Sequence, residues 1–223
     1  MTHQASRRWI LTAIGLALSL GVAMLPLGDW GRSYSGFGKL WGGDVLWWAA
    51  AIVILVYVTA VERRGLSSIG MRRPSGWDIG WALIFAVITF VGIGVITTMI
   101  FPALHLHVNQ ATYGSIVYAP LSYRVALVTR AAVCEEILFR GYPLQRLEEW
   151  TGSAWLAGLI TWALFTYAHL SSWGTAQLIV AGFGGAILTV LFLWRRNLWA
   201  NMLTHWLVDG AAFIMVPLLM PHH

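Results

Sequence analysis

Seven stretches of this chain are long and apolar enough to cross a bilayer, and that leaves few ways to fold. They run roughly over residues 9–27, 44–61, 77–101, 122–150, 152–170, 175–194 and 198–218. At 1.5 Å of helical rise per residue, each covers about the 30 Å hydrocarbon core. Inside that core no water can satisfy the backbone, so each span must bond within itself. The expected fold is all-α: a polytopic transmembrane helical bundle of about seven spans. It is read as a single integral membrane domain over residues 1–223, with little mass outside the bilayer.

The side-chain balance agrees. Hydrophobic residues make up 58% of the chain and charged ones 10%, against roughly 25% charged in a soluble domain. The 14 Trp residues suit interfacial belts. The net charge of +5 is not a nucleic-acid patch, because the arginines fall in pairs at span ends: Arg7-Arg8, Arg63-Arg64, Arg72-Arg73 and Arg195-Arg196. Counting these with Arg146 on one side, against Arg32, Lys39 and Arg124 on the other, places the N-terminus in the cytoplasm and the C-terminus outside. The expected location is the plasma membrane. Ser6-Arg7-Arg8-Trp9 imitates a twin-arginine export signal, but the long apolar run and the further spans favour a retained first helix.

Against this background Glu135, Glu136 and Arg140 stand out in the fourth span. A charge at the bilayer centre costs on the order of 3 kcal/mol on insertion scales, so such a cluster is read as a functional site facing a wet cavity. Glu136 and Arg140 are four apart, share a helix face and can form an ion pair. Glu135 is turned about 100° away on an α-helix. It is therefore expected to be left without a charged partner and to face something else. The neighbouring Cys134 is the single cysteine of the chain and reads as a small core residue rather than a nucleophile.

Hairpin arithmetic supplies a candidate partner. Glu135 and His169 are symmetric about Gly152, within the turn signal Thr151-Gly152-Ser153. An antiparallel hairpin of spans four and five then sets carboxylate and imidazole at similar depth. His205 and Asp209 are again four apart, and a carboxylate on one ring nitrogen fixes the role of the other. Span counting sets His205 and His169 on the order of 10–15 Å apart in depth; a tilted or re-entrant stretch over residues 170–174 would close that gap. In the sixth span, Ala181, Gly182, Gly185 and Ala186 are spaced for close helix packing, and the span is expected to be a strut.

In order along the chain, Glu135-Glu136-x-x-x-Arg140, Phe165-x-x-x-His169 and His205-x-x-x-Asp209 resemble the three motifs of the CAAX protease and bacteriocin-processing (CPBP) family, intramembrane peptidases that include the type II CAAX prenyl endopeptidases. The resemblance covers about residues 130–212. It implies a peptidase core built from spans four to seven (about 122–218), beside N-terminal spans and loops (1–121), around a water-filled cavity open to the cytoplasm. By motif position, Glu135 would be the general base and His169 its partner in holding water. His205 with Asp209 would form the oxyanion side, and Glu136 with Arg140 the supporting pair. This sequence departs from the family at Asp209, where Asn is common. An ionised carboxylate cannot donate to an oxyanion, so Asp209 is expected to orient and charge His205.

The family is widely labelled metalloprotease, and a zinc ion, if used, would take Glu135, His169 and His205. The sequence has no H-E-x-x-H motif, and a glutamate-dependent mechanism without bound metal is the preferred reading. Tyr113-Gly114-Ser115 is a poor serine-peptidase motif and is read as lying in a loop. Asp44 sits at a span edge, a poor start for an aspartyl dyad, and paired Glu-x-x-His di-iron motifs are absent. The rival function is a non-catalytic membrane protein of the same fold, such as an immunity or peptide-binding partner; a transporter comes third. The expected partners are a peptide or membrane-protein substrate and the lipid bilayer, with no nucleic acid. His105, His107, His222 and His223 are read as loop and tail residues.

Overall fold

The computed structural model of the chain describes residues 3–25 and 37–219, and every regular element among them is helical. Arg32, His222, His223 and much of the Gly-rich first loop lie outside the described residues, as do the side chains of Arg7 and Lys39. In chain order the elements are α1 (His3–Leu16), α2 (Phe37–Val56), α3 (Gly76–Val95), α4 (Gln110–Val117), α5 (Leu121–Arg130), α6 (Tyr142–Thr151), α7 (Ala154–Ala168), α8 (Leu170–Trp173), α9 (Gln177–Arg195) and α10 (Leu198–Gly210). Wide π turns extend α1, α2, α3 and α10 at their C-terminal ends. Between α5 and α6 the helix does not stop; it runs through an eleven-residue π segment, Ala131–Gly141.

Among the described residues four helical rods are long and apolar enough to cross a membrane: Trp41–Val61, Gly76–Ala103, Gln177–Arg195 and Leu198–Leu219. The other three expected spans exist as helices but differ in kind. The first is the shorter apolar stretch Arg8–Gly21. The fourth is interrupted by buried charge, and the fifth, α7, has 15 residues, about 22 Å of rise.

Local chemistry explains the joints. Gly152 ends α6 in the left-handed conformation (φ 69°), and Ser153 caps α7 by accepting from Leu156 N–H. This is the turn of the expected hairpin, and α6 packs along α7. Ser75 and Asp78 form a capping box at the start of α3. Asp78 also receives Arg195 Nε at 2.9 Å and Asn197 Nδ2 at 3.3 Å, tying α3 to the α9–α10 turn. At the same end Arg146 donates to Glu62 at 2.6 Å, Arg64 pairs with Glu149, Arg196 with Glu148, and Trp9 packs on Trp150. Arg64, Arg146, Arg195 and Arg196, four of the arginines counted together in the sequence, thus meet at one end of the bundle. Buried Arg124 is at the other, donating to Phe213 O at 3.1 Å.

One carbonyl of the π segment has no helical donor. Pro143 has no N–H to give the carbonyl five residues earlier, which is Leu138 in π register. Ser19 Oγ, from the π turn of α1, donates to that carbonyl at 2.8 Å. Every residue from Ala131 to Gly141 except Val133 is buried. The distorted stretch therefore lies within the bundle, where neighbours can satisfy it.

Candidate functional site

The π segment decides which charged groups meet. Residues four apart still pair: Arg140 Nη1 donates to Glu136 Oε1 at 3.1 Å, with both side chains fully buried. The wider turn also brings residues five apart onto one face, and Arg130 Nη1 donates to Glu135 Oε1 at 2.9 Å. The expectation that Glu135 would lack a charged partner is therefore corrected. It assumed α-helical rotation, and the chain here turns more slowly. Arg130 also gives its Nε to Asp44 Oδ1 of α2 at 2.9 Å and stacks over Trp47. Asp44 is buried, not a mere span edge.

Glu136 is the hub of a second network. Its Oε1 also faces His205 Nδ1 at 2.9 Å, and its Oε2 receives Asn201 Nδ2 at 3.1 Å. A carboxylate accepts only, so His205 carries its proton on Nδ1. His205 Nε2 lies 3.5 Å from Asp209 Oδ2, within ion-pair reach but long for a hydrogen bond. Asn201 also donates to Leu188 O at 2.7 Å.

His169 ends α7. Its Nδ1 bonds Phe165 O at 2.8 Å, and because a carbonyl only accepts, that nitrogen carries the proton and Nε2 is left over. Phe165 packs between His169 (4.6 Å between centroids) and Arg140, whose guanidinium carbon is 3.8 Å from the ring centroid. Arg140 Nη2 reaches Gly185 O at 3.3 Å. A Cβ on Gly185 would lie 2.8 Å from Phe165 Cδ1. The small residues of α9 therefore do more than pack: they give Arg140 a backbone acceptor and leave room for the ring beside it.

Glu135, His169, His205 and Asp209 all line one cavity of about 610 Å³, with Arg130, Phe165 and Gly185. No hydrogen bond or ion pair joins Glu135 to His169 among the described residues. After His169 the chain bends through the short α8 and Gly174 (φ 81°), which separate α7 from α9. Ser171, Ser172 and Trp173 line the cavity here, and Ser172 O accepts from Thr112 Oγ1 of α4 at 2.7 Å. Ser115 is on α4 rather than in a loop, and its hydroxyl donates to Thr112 O. His105 and His107 are exposed in the connection before α4, and Cys134 is buried.

The donor set does not fit zinc. Among the described residues no group of three His, Cys, Asp or Glu side chains lies close enough to hold a metal ion. Glu135 Oε1 is engaged by Arg130, and His205 faces a carboxylate on each nitrogen; His169 Nε2 is left without a second donor group beside it among the described residues.

Arg130, Asp44 and Asn201 were missed in reading the sequence. A signal for Arg130 exists, since it lies five before Glu135, but only a π register uses that spacing. Asp44 and Asn201 carry no local signal; they reach their partners through tertiary packing.

No curated protein and no solved structure matches the chain significantly. Residues 117–211, from the end of α4 to the end of α10, match the family model described as type II CAAX prenyl endopeptidase Rce1-like. With four helices able to cross a membrane, the chain is an integral membrane protein, and the resemblance carried by its three motifs is to this peptidase family.

Proposed function

We propose that the protein is an intramembrane endopeptidase that hydrolyses a peptide bond with water activated by Glu135 and His169. The observation that carries this reading is the shared cavity. Glu135, His169, His205 and Asp209 come from three motifs spread over 75 residues of sequence, yet line one space inside an apolar bundle. The core spans residues 122–218, and the N-terminus faces the cytoplasm of the plasma membrane. The partners are a peptide or membrane-protein substrate and the surrounding lipid.

In this mechanism a water molecule sits between Glu135 and His169. With Nδ1–H committed to Phe165 O, neutral His169 presents a lone pair at Nε2, which accepts one water hydrogen. Glu135 takes the other proton as the oxygen adds to the scissile carbonyl carbon. The developing oxyanion is met from Nε2 of His205. Since Nδ1–H of that ring is committed to Glu136, donation from Nε2 requires protons on both nitrogens. Glu136 and Asp209 flank that cationic ring. Asp209 therefore acts through His205 and need not touch the oxyanion. Collapse breaks the C–N bond, and the proton held by Glu135 passes to the leaving amine. Arg140, held by Glu136, Gly185 O and the Phe165 face, supports both histidines.

The test uses purified protein in detergent and a quenched fluorescent farnesylated peptide ending in a C-a-a-X sequence. In parallel, membranes of the host are incubated with Glu135→Gln protein to trap uncleaved substrates for mass spectrometry. Wild-type cleavage that Glu135→Gln abolishes while folding persists supports the reading; an active Glu135→Gln enzyme sinks it. The second reading, a non-catalytic binder, is favoured by the Arg130–Glu135 ion pair, which a structural network would also make. A binder tolerates Glu135→Ala and keeps its partner.

A further inference from the structure

We propose that Arg130 and Asp44 are positioning residues for Glu135, and that the N-terminal third of the chain thereby shapes the peptidase site. The inference rests on the peptidase reading above, with Glu135 as base. Arg130 uses two nitrogens for two carboxylates on separate elements: Nη1 to Glu135 Oε1 and Nε to Asp44 Oδ1, each at 2.9 Å. The Trp47 ring under the guanidinium, 5.4 Å to its centroid, limits its movement on a third side. Asp44 and Trp47 belong to α2, outside the family-matched residues 117–211.

The geometry divides the labour of Glu135. Arg130 takes Oε1, and Oε2 makes no hydrogen bond to protein among the described residues. Oε1 fixes the carboxylate, and Oε2 is left for water. Arg130 in turn needs Asp44. A guanidinium with a single carboxylate could follow it through several rotamers, whereas a planar fork held at both Nε and Nη1 has one orientation. Buried side chains strengthen the effect: Arg130, Asp44 and Glu135 are 13%, 9% and 11% exposed. Asp44 thus acts on Glu135 only through Arg130, which makes an ordering prediction.

The experiment measures kcat and KM for the quenched farnesylated peptide with wild type, Arg130→Gln, Arg130→Lys, Asp44→Asn and the Asp44→Asn/Arg130→Gln double variant. Arg64→Gln, which breaks an exposed pair with Glu149, is the control. A misplaced reacting group costs up to about 100-fold, so Arg130→Gln should lose kcat by about that factor with KM changed less than about threefold. Asp44→Asn should lose about tenfold in the wild-type background and nothing further when Arg130 is already Gln. Arg130→Lys should recover part of kcat, since it keeps the charge and loses the fork. Unchanged kcat in Arg130→Gln overturns the proposal, as does an equal Asp44→Asn loss in both backgrounds or a loss carried entirely by KM. Should Arg130→Gln fail to fold, Arg130→Lys alone and combined with Asp44→Asn carry the same comparison. An active Glu135→Gln, or a wild type that cleaves neither the farnesylated peptide nor any protein trapped by Glu135→Gln, sinks the peptidase reading and this inference with it. A dead Glu135→Gln beside fully active Arg130 and Asp44 variants sinks this inference alone.

Discussion

Replacing Glu136 with Gln should destabilise the whole bundle, and the size of the loss follows from what the carboxylate holds. It accepts from Arg140 at 3.1 Å, His205 at 2.9 Å and Asn201 at 3.1 Å, and neither Glu136 nor Arg140 is exposed at all. Removing one member of a buried ion pair leaves an uncompensated charge and costs about 3–5 kcal/mol. The remaining supports of Arg140, the 3.3 Å bond to Gly185 O and the Phe165 face, hold the cost toward the lower value. For a domain of this size each kcal/mol lowers the midpoint by about 2–4 °C, so a drop of roughly 10 °C is expected. Cys134 provides the readout: it is the only cysteine of the chain and fully buried, so a thiol-reactive dye reports unfolding directly. Glu136→Gln and Arg140→Gln together should cost less than their sum, by about 2 kcal/mol. A Glu136→Gln midpoint within 2 °C of wild type, or strict additivity of the two changes, would refute the account of this network.

Asp209→Asn should keep activity within about tenfold, because an amide oxygen can still accept from the ring; complete loss of cleavage in a folded variant would assign the work to the charge. Gly185→Ala places a Cβ 2.8 Å from Phe165. Overpacking of this kind costs about 1–3 kcal/mol, visible as a lower dye midpoint together with slower cleavage; a silent substitution would remove Phe165 from the support of Arg140 and His169. Gly70→Ala meets both a left-handed backbone (φ 84°) and Phe192 at 2.7 Å, so it should loosen the loop joining α2 to α3 and lower the midpoint with little change in kcat. Elemental analysis of purified protein should find well under one zinc per chain, with activity unaffected by strong chelator; reversible loss with zinc rescue would contradict the donor geometry.

The sequence made the helices legible because lipid leaves a span no other way to bond its backbone. The hairpin turn was legible for a similar reason. Gly152 with Ser153 is a left-handed stop followed by a cap, and both are local. Glu136 with Arg140 was legible as a four-residue spacing. Glu135 was misread through the same logic, since α-helical spacing was applied to a π segment. The cue for that segment, Pro143 beyond a buried charged run, is weak unless the donor that rescues Leu138 O is also known. Ser19, Asp44 and Asn201 are 119, 86 and 65 residues from the groups they serve. No periodicity reaches across such distances. Among the described residues four of the seven expected spans form helices long and apolar enough to cross, and the other three are shorter or carry buried charge, which hydropathy read over a whole stretch does not separate.

The bond from Ser19 to Leu138 has a consequence for how the protein is made. Chains are synthesised from the N-terminus, so α1 and α2 are made before the charged π segment arrives. Ser19 offers a hydroxyl to the carbonyl that Pro143 cannot serve, and Asp44 a carboxylate to Arg130. The early helices act as a docking template for a segment that would insert poorly by itself. Residues 117–211 transplanted alone should therefore be rejected by the insertion machinery or degraded. Supplying the first two helices as a separate polypeptide should rescue them.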